Sequence, residues 1–176
     1  MSLAFSEPAM KRFEKLVARY PNRQAALLPT LHLAQEEFGH ISPEAMEYVG
    51  ALLGVPPIKV QHVATFYTMY NLKPVGRFHV QVCTNIACYL TGGPEILAHL
   101  KRKLGVANKG TTADGLFTLE EVECLAACGS APAIQVNDQR DREWPIVYHE
   151  DLSVASADAL IDTLRAKAGS GVGVQQ

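Results

Sequence analysis

The chain has no long hydrophobic run. Its apolar stretches, such as Ala25-Ala26-Leu27-Leu28, fall far short of the roughly 20 residues a membrane-spanning helix needs. No apolar signal-peptide core follows the short Met1-Ser2-Leu3 start, so the sequence reads as that of a cytoplasmic protein. An excess of one charge is also missing. The formal net charge is −2, and residues 1–72 hold six Lys or Arg against six Asp or Glu. A helical segment with zero net charge and no basic face has little with which to engage phosphates, which argues against nucleic acid as a partner. Cysteine is scarce, at four among 176 residues. That is too few for a disulfide scaffold, and their spacing must decide between free thiols and metal ligands.

The sequence changes character near residue 73. The first part carries helix signals. Ser6 can cap a helix with Glu7 and Pro8 in its first turn, and Phe13, Leu16, Val17 and Tyr20 share one face before Pro21 stops it. A second helix is predicted from about Arg23 to Phe38, kinked or restarted at Pro29 and closed by Gly39. Ser42 with Pro43 caps a third, through about Leu53 to Gly54, and Pro57 opens a short fourth carrying Val60, Val63 and Ala64. Residues 1–75 are therefore expected to form a helical bundle. The aromatics Phe66, Tyr67 and Tyr70 are expected to fill the joint between this bundle and the second part of the chain.

The second part, residues 76–168, mixes strand and helix. Phe78 to Val82 alternates as a strand leading directly to Cys83, and a loop then holds Cys88. Gly92-Gly93-Pro94 starts a helix through about Leu104, with Ile96, Leu97 and Leu100 buried. After a polar connection over 106–115, Leu116 to Val122 reads as a second strand and delivers Cys124. Ala133 to Val136 and Ile146 to Tyr148 read as two more strands, and Ser153 caps a final helix to about Lys167. The prediction is an α/β fold: a small mixed four-stranded sheet flanked by helices, its first two strands parallel around a helical crossover. The Gly-rich end, 169–176, is expected to be a disordered tail.

The cysteines run Cys83-x4-Cys88, then 35 intervening residues, then Cys124-x3-Cys128, each pair just after a predicted strand. Neighbouring parallel strands end on one side of a sheet, so four soft thiolates can converge there. A thioredoxin-type redox site would need C-x-x-C, and neither interval is two. A Rieske centre would need histidines at short spacing from cysteine, and the nearest, His79 and His99, are not so placed. Buried structural thiols would not need to cluster in pairs at two strand ends. An x4 interval occurs in ferredoxin loops while zinc sites favour x2, so spacing favours an Fe–S cluster and leaves zinc open. Around a cluster, the N–H groups of Thr84, Asn85, Ile86 and Ala87 are expected to face sulfur, and the helix starting at Gly93 to offer its positive end. Glu120, Glu121 and Glu123 are expected on a solvated strand edge. Ala131-Pro132 is a candidate cis bond.

Three passages are more specific: Phe66-Tyr67-Thr68-Met69-Tyr70-Asn71-Leu72-Lys73-Pro74-Val75-Gly76, Gln81-Val82-Cys83-Thr84 to Cys88, and Glu123-Cys124-Leu125-Ala126-Ala127-Cys128 to Ala131-Pro132. In order and register they resemble the thioredoxin-like [2Fe-2S] ferredoxin family over about residues 8–167, nearest to the branch that serves NADH:quinone oxidoreductase, respiratory complex I. The resemblance implies one [2Fe-2S] cluster held by Cys83, Cys88, Cys124 and Cys128, with no catalytic residue on this chain. It also implies an electron-transfer subunit that docks on a flavin subunit carrying NADH and FMN, beside further peripheral-arm subunits. Such a chain would have no membrane span of its own and would sit at the cytoplasmic face of the inner membrane through the complex. Related subunits serve soluble NAD-linked formate dehydrogenases and hydrogenases. Outside this class, the alternative is a zinc-stabilised docking module without redox activity. The stretch Gln139 to Pro145 departs from the family pattern as an insertion before the last strand.

Overall fold

The computed structural model describes residues 3–141 and 145–169. The chain divides into two units, 1–74 and 75–176.

In the first unit the first and third α-helices begin at serine caps, whereas the second and fourth begin without a side-chain cap. Helix α1 spans Glu7–Val17, with the Ser6 hydroxyl accepting the Ala9 N–H, and it ends three residues before the expected stop. The predicted second helix is broken. A short 3-10 turn over Gln24–Ala26 precedes α2 (Leu27–Phe38), which places Pro29 in the first turn, where the missing N–H costs nothing. Gly39 closes α2 at φ +81°. Helix α3 (Pro43–Leu53) runs from the Ser42 cap to Gly54, and α4 (Pro57–Phe66) starts at Pro57, as the sequence predicts.

Their apolar faces meet in a core that includes Phe13, Leu31, Ile41, Val49 and Val60. Tyr70 belongs to this core, and its hydroxyl donates to the Leu28 carbonyl at 2.9 Å. Phe66 is 77% exposed and Tyr67 39% exposed.

In the second unit, β1 (Phe78–Cys83), β2 (Gly110–Thr111), β3 (Phe117–Val122), β4 (Ile134–Asp138) and β5 (Ile146–His149) form one mixed sheet in the order β2-β3-β1-β4-β5. The sheet has five strands, not four. The extra one, β2, is two residues long and lies inside the segment expected to be a plain connection. Strands β1 and β3 are parallel, Phe78 opposite Phe117 and Cys83 opposite Val122; the other pairings are antiparallel. Between β1 and β3 run α5 (Ile86–Leu90) and α6 (Gly93–Leu104), and α7 (Val154–Gly169) ends the described chain.

Alternation sorts the sheet into two faces. Phe78, Val80, Val82, Phe117 and Leu119 pack with Ile96, Leu100 and Ile161 of α6 and α7 in a second core. His79, Gln81 and Cys83 take the other face with Thr118 and Glu120, and that face is polar. The middle of the expected insertion, 142–144, and the tail beyond 169 lie outside the described residues.

Candidate metal centre

The parallel pair positions the thiols. Cys83 is the last residue of β1, and Val122, its partner on β3, lies two residues before Cys124. Both cysteine segments therefore leave the sheet at the same end. The Cys83 N–H donates to the Ala133 carbonyl at 3.1 Å, and the Thr84 N–H to the Val122 carbonyl at 3.0 Å. These bonds tie both loops to the sheet.

Cys88 sits on α5, a single helical turn where the sequence suggested only a loop. Asn85 opens the turn: its carbonyl accepts the Tyr89 N–H at 2.7 Å. Gly92 and Gly93 then bring α6 against the thiol loop. Gly92 holds φ +106°, and a Cβ on Gly93 would stand 2.8 Å from the carbonyl oxygens of both Cys83 and Cys88. The two glycines were legible as a helix start; their role as the close contact behind both cysteines was not.

Cys83 and Cys88 are 4% and 2% exposed and pack with Ala133, whereas Cys124 and Cys128 face solvent. No cysteine is in a disulfide. Burial pushes the Cys88 thiol up to about 11, reinforced by a hydrogen bond with Cys83 and the charges of Cys83 and Cys128, and opposed by a backbone hydrogen bond from Ala133. Cys83 and Cys128 thus both lie near Cys88. Cys124 is held within its own loop, its Sγ accepting the Ala126 N–H at 3.3 Å, with Ala126 at φ +59°.

Among the described residues, no three His, Cys, Asp or Glu side chains meet around one point as a single metal ion would require. A [2Fe-2S] cluster divides four thiolates between two irons, and two pairs on facing loops fit that division. The donor set is soft sulfur throughout, which is the chemistry iron–sulfur clusters take.

The expected N–H donors are corrected in part. The Thr84 and Ile86 N–H groups are spent on Val122 and on the Asn85 side chain, while Ala126 and Ala133 serve sulfur instead. A cis bond joins Ala131 to Pro132. His79 and His99 belong elsewhere: His79 Nε2 lies 2.9 Å from Glu120 Oε2, and His99 Nε2 lies 2.6 Å from Asp158 Oδ1. Glu120 is not on a solvated edge. It is largely enclosed, accepts from Gln81 at 3.1 Å and faces Lys109 at 3.4 Å.

Around the thiols the surface is apolar. Ile86, Tyr89 and Leu90 of α5 are 72%, 63% and 78% exposed. Among the described residues, no helix is long and apolar enough to cross a membrane.

Comparison with known proteins agrees with this arrangement. The chain is 44% identical over 156 residues to an E-type NADH-quinone oxidoreductase subunit of Rhizobium meliloti, covering 89% of this chain and 88% of that one. It is 41% identical over 167 residues to the E-type NADH-quinone oxidoreductase subunit of Rickettsia bellii, covering 93% and 95%. Among solved structures, an NAD+-reducing [NiFe]-hydrogenase superposes with a TM-score of 0.66 at 22% identity, over 84% of this chain and 24% of that one, a likeness of fold. The family model for the thioredoxin-like [2Fe-2S] ferredoxin matches residues 13–165, and the chain belongs to that family.

Proposed function

We propose that this chain is the electron-transfer subunit of an NADH:quinone oxidoreductase, carrying one [2Fe-2S] cluster on Cys83, Cys88, Cys124 and Cys128. FMN and NADH belong to a partner subunit, and single electrons pass between that flavin and this chain. The observation that carries the reading is the pairing of thiols at one end of the β1–β3 parallel pair, two buried and two facing outward. When bound, the cluster supplies a site that gains and loses one electron. The chain's own residues hold and insulate it. Cys83 and Cys88 fix the inner side against Ala133, and the Ala126 and Ala133 N–H groups offset charge on sulfur.

Cys124 and Cys128 leave the outer side open to a partner, and Ile86, Tyr89 and Leu90, on the same short helix as Cys88, are exposed as well, which supports docking at this face. In this reading residues 76–168 are the cluster domain and residues 1–75 the helical platform that accompanies it. The flavin subunit and further peripheral-arm subunits are the partners, and the assembly would hold the chain at the cytoplasmic face of the inner membrane. The high identity to quinone-linked subunits favours this assembly over a soluble formate dehydrogenase or hydrogenase.

The test is anaerobic purification followed by iron, sulfide and zinc analysis, with EPR after reduction. Two irons and two sulfides per chain and a single S = 1/2 signal are expected. A zinc-loaded, EPR-silent protein without labile sulfide would instead establish the docking-module alternative.

A further inference from the structure

In the helical unit, α1 and α2 line an open groove of about 330 Å³. Its apolar lining comes from Leu16, Pro29 and Leu33, and its basic side chains are Arg12, Lys15 and Arg19, spaced along one face of α1 and its C-terminal extension. Five of the six Lys and Arg residues in 1–72 fall between Lys11 and Arg23, opposed within that stretch only by Glu14, so a unit with no net charge has one strongly basic side. Arg12 is already matched, its Nη2 lying 2.8 Å from Glu36 Oε2. Lys15 and Arg19 enter no ion pair among the described residues. A cation near a helix C-terminus is favoured by the helix itself, but that effect is confined to the last turn and gives no reason for three cations to line one groove.

We propose that this groove receives a segment of a partner subunit that carries both acidic and apolar side chains, its carboxylates meeting Lys15 and Arg19 and its apolar side chains covering the half-buried Leu16 and Pro29 above the buried Leu33. A free phosphate or nucleotide would leave the apolar lining unused and would find Arg12 occupied. Two unmatched cations on a chain of net charge −2 are too few for nucleic acid. Complementary charge of this kind sets orientation and encounter rate, and the small apolar contact adds to it. The groove belongs to the helical unit, so it would act as a point of attachment additional to the thiol face. The inference rests on the chain working within a multi-subunit oxidoreductase.

The assembled complex, treated with a carbodiimide that joins an amine to a carboxylate without a spacer, tests it. Mass spectrometry is expected to find Lys15 joined to an Asp or Glu of another subunit. The doubly reversed Lys15→Glu, Arg19→Glu chain is expected to assemble at least tenfold more weakly, with the EPR signal of its cluster and its circular dichroism unchanged. Lys15 joined only to its own chain or to a second copy of it would overturn the proposal. So would wild-type affinity in the reversed chain. A wild-type chain that keeps its EPR signal but binds no oxidoreductase subunit would instead bring down the assembly reading, and the groove with it.

Discussion

Glu120 accepts from His79 and Gln81 and faces Lys109, on a part of the sheet that solvent barely reaches. The His79 hydrogen bond is the main reason its carboxyl is held at about 2 in place of 4.5; burial works the other way, and Gln81 and Lys109 add to the depression. A depressed carboxylate pKa contributes stability in full above the unfolded value and loses it as pH falls through the folded one. The window therefore runs from about 4.5 down to about 2. Glu120→Gln is expected to cost roughly 1–3 kcal/mol at pH 7 and distinctly less near pH 3, read as denaturant midpoints at the two pH values. An equal cost at both would mean the ion-pair network adds nothing. At the thiols, Cys128→Ser is expected to change the EPR line shape or abolish the cluster, and an unchanged spectrum would remove Cys128 from the ligand set. The four cysteines could be picked out from the sequence because paired spacing is a local property. The environment of Glu120 could not, because it depends on Gln81 lying opposite Glu120 across the parallel register, a long-range fact.

At the scale of elements, the contact that matters most is the N-terminus of α6 against the thiol loop. A methyl group on Gly93 would be forced against two backbone carbonyls that cannot swing aside as a side chain could. Gly93→Ala is expected to destabilise the unit by about 1–3 kcal/mol and to lower iron content, checked by metal analysis beside thermal unfolding. The same change at an open, negative-φ position such as Gly129 is expected to do neither. By contrast, Ser42→Ala removes the acceptor for the Ala45 N–H and a hydrogen bond to the Glu44 carboxylate, and should cost about 1 kcal/mol without touching the cluster. Helix α3 was readable end to end because Ser42, Pro43 and Gly54 write both its boundaries into adjacent residues. Helix α5 and strand β2, at five and two residues, are too short to show a period. They exist because the chain around them is already fixed by β1, β3 and α6.

Over the whole molecule, among the described residues, the buried apolar side chains form three clusters: a core in the helical unit, a core between the sheet and α6 and α7, and a small cluster of Cys83, Cys88 and Ala133 that belongs to the second unit. Ligand binding stabilises the structure that binds, so removing iron is expected to act on the second unit alone. Hydrogen exchange after chelation should show lost protection in β1, α5 and residues 124–133, with α1 to α4 unchanged. Loss spread evenly through both units would contradict this. The change from helix signals to strand signals lies near residue 73 in the sequence. The parallel pairing of β1 with β3 followed from the helical crossover between them, and with it the shared end of the sheet.

That crossover also governs the order in which the centre can be made. Cys83 and Cys88 leave the ribosome ahead of Cys124, which is 36 residues beyond Cys88. At roughly 5–20 residues per second, the first pair exists for about 2–7 s before any of the second pair is synthesised. Strand β1 has no β3 to lie against in that interval, so the burial that shields Cys83 and Cys88 in the finished fold is not yet complete. The newborn chain therefore passes through a stage with two unshielded sulfurs and half a binding site, and insertion of the cluster has to follow the closing of the sheet.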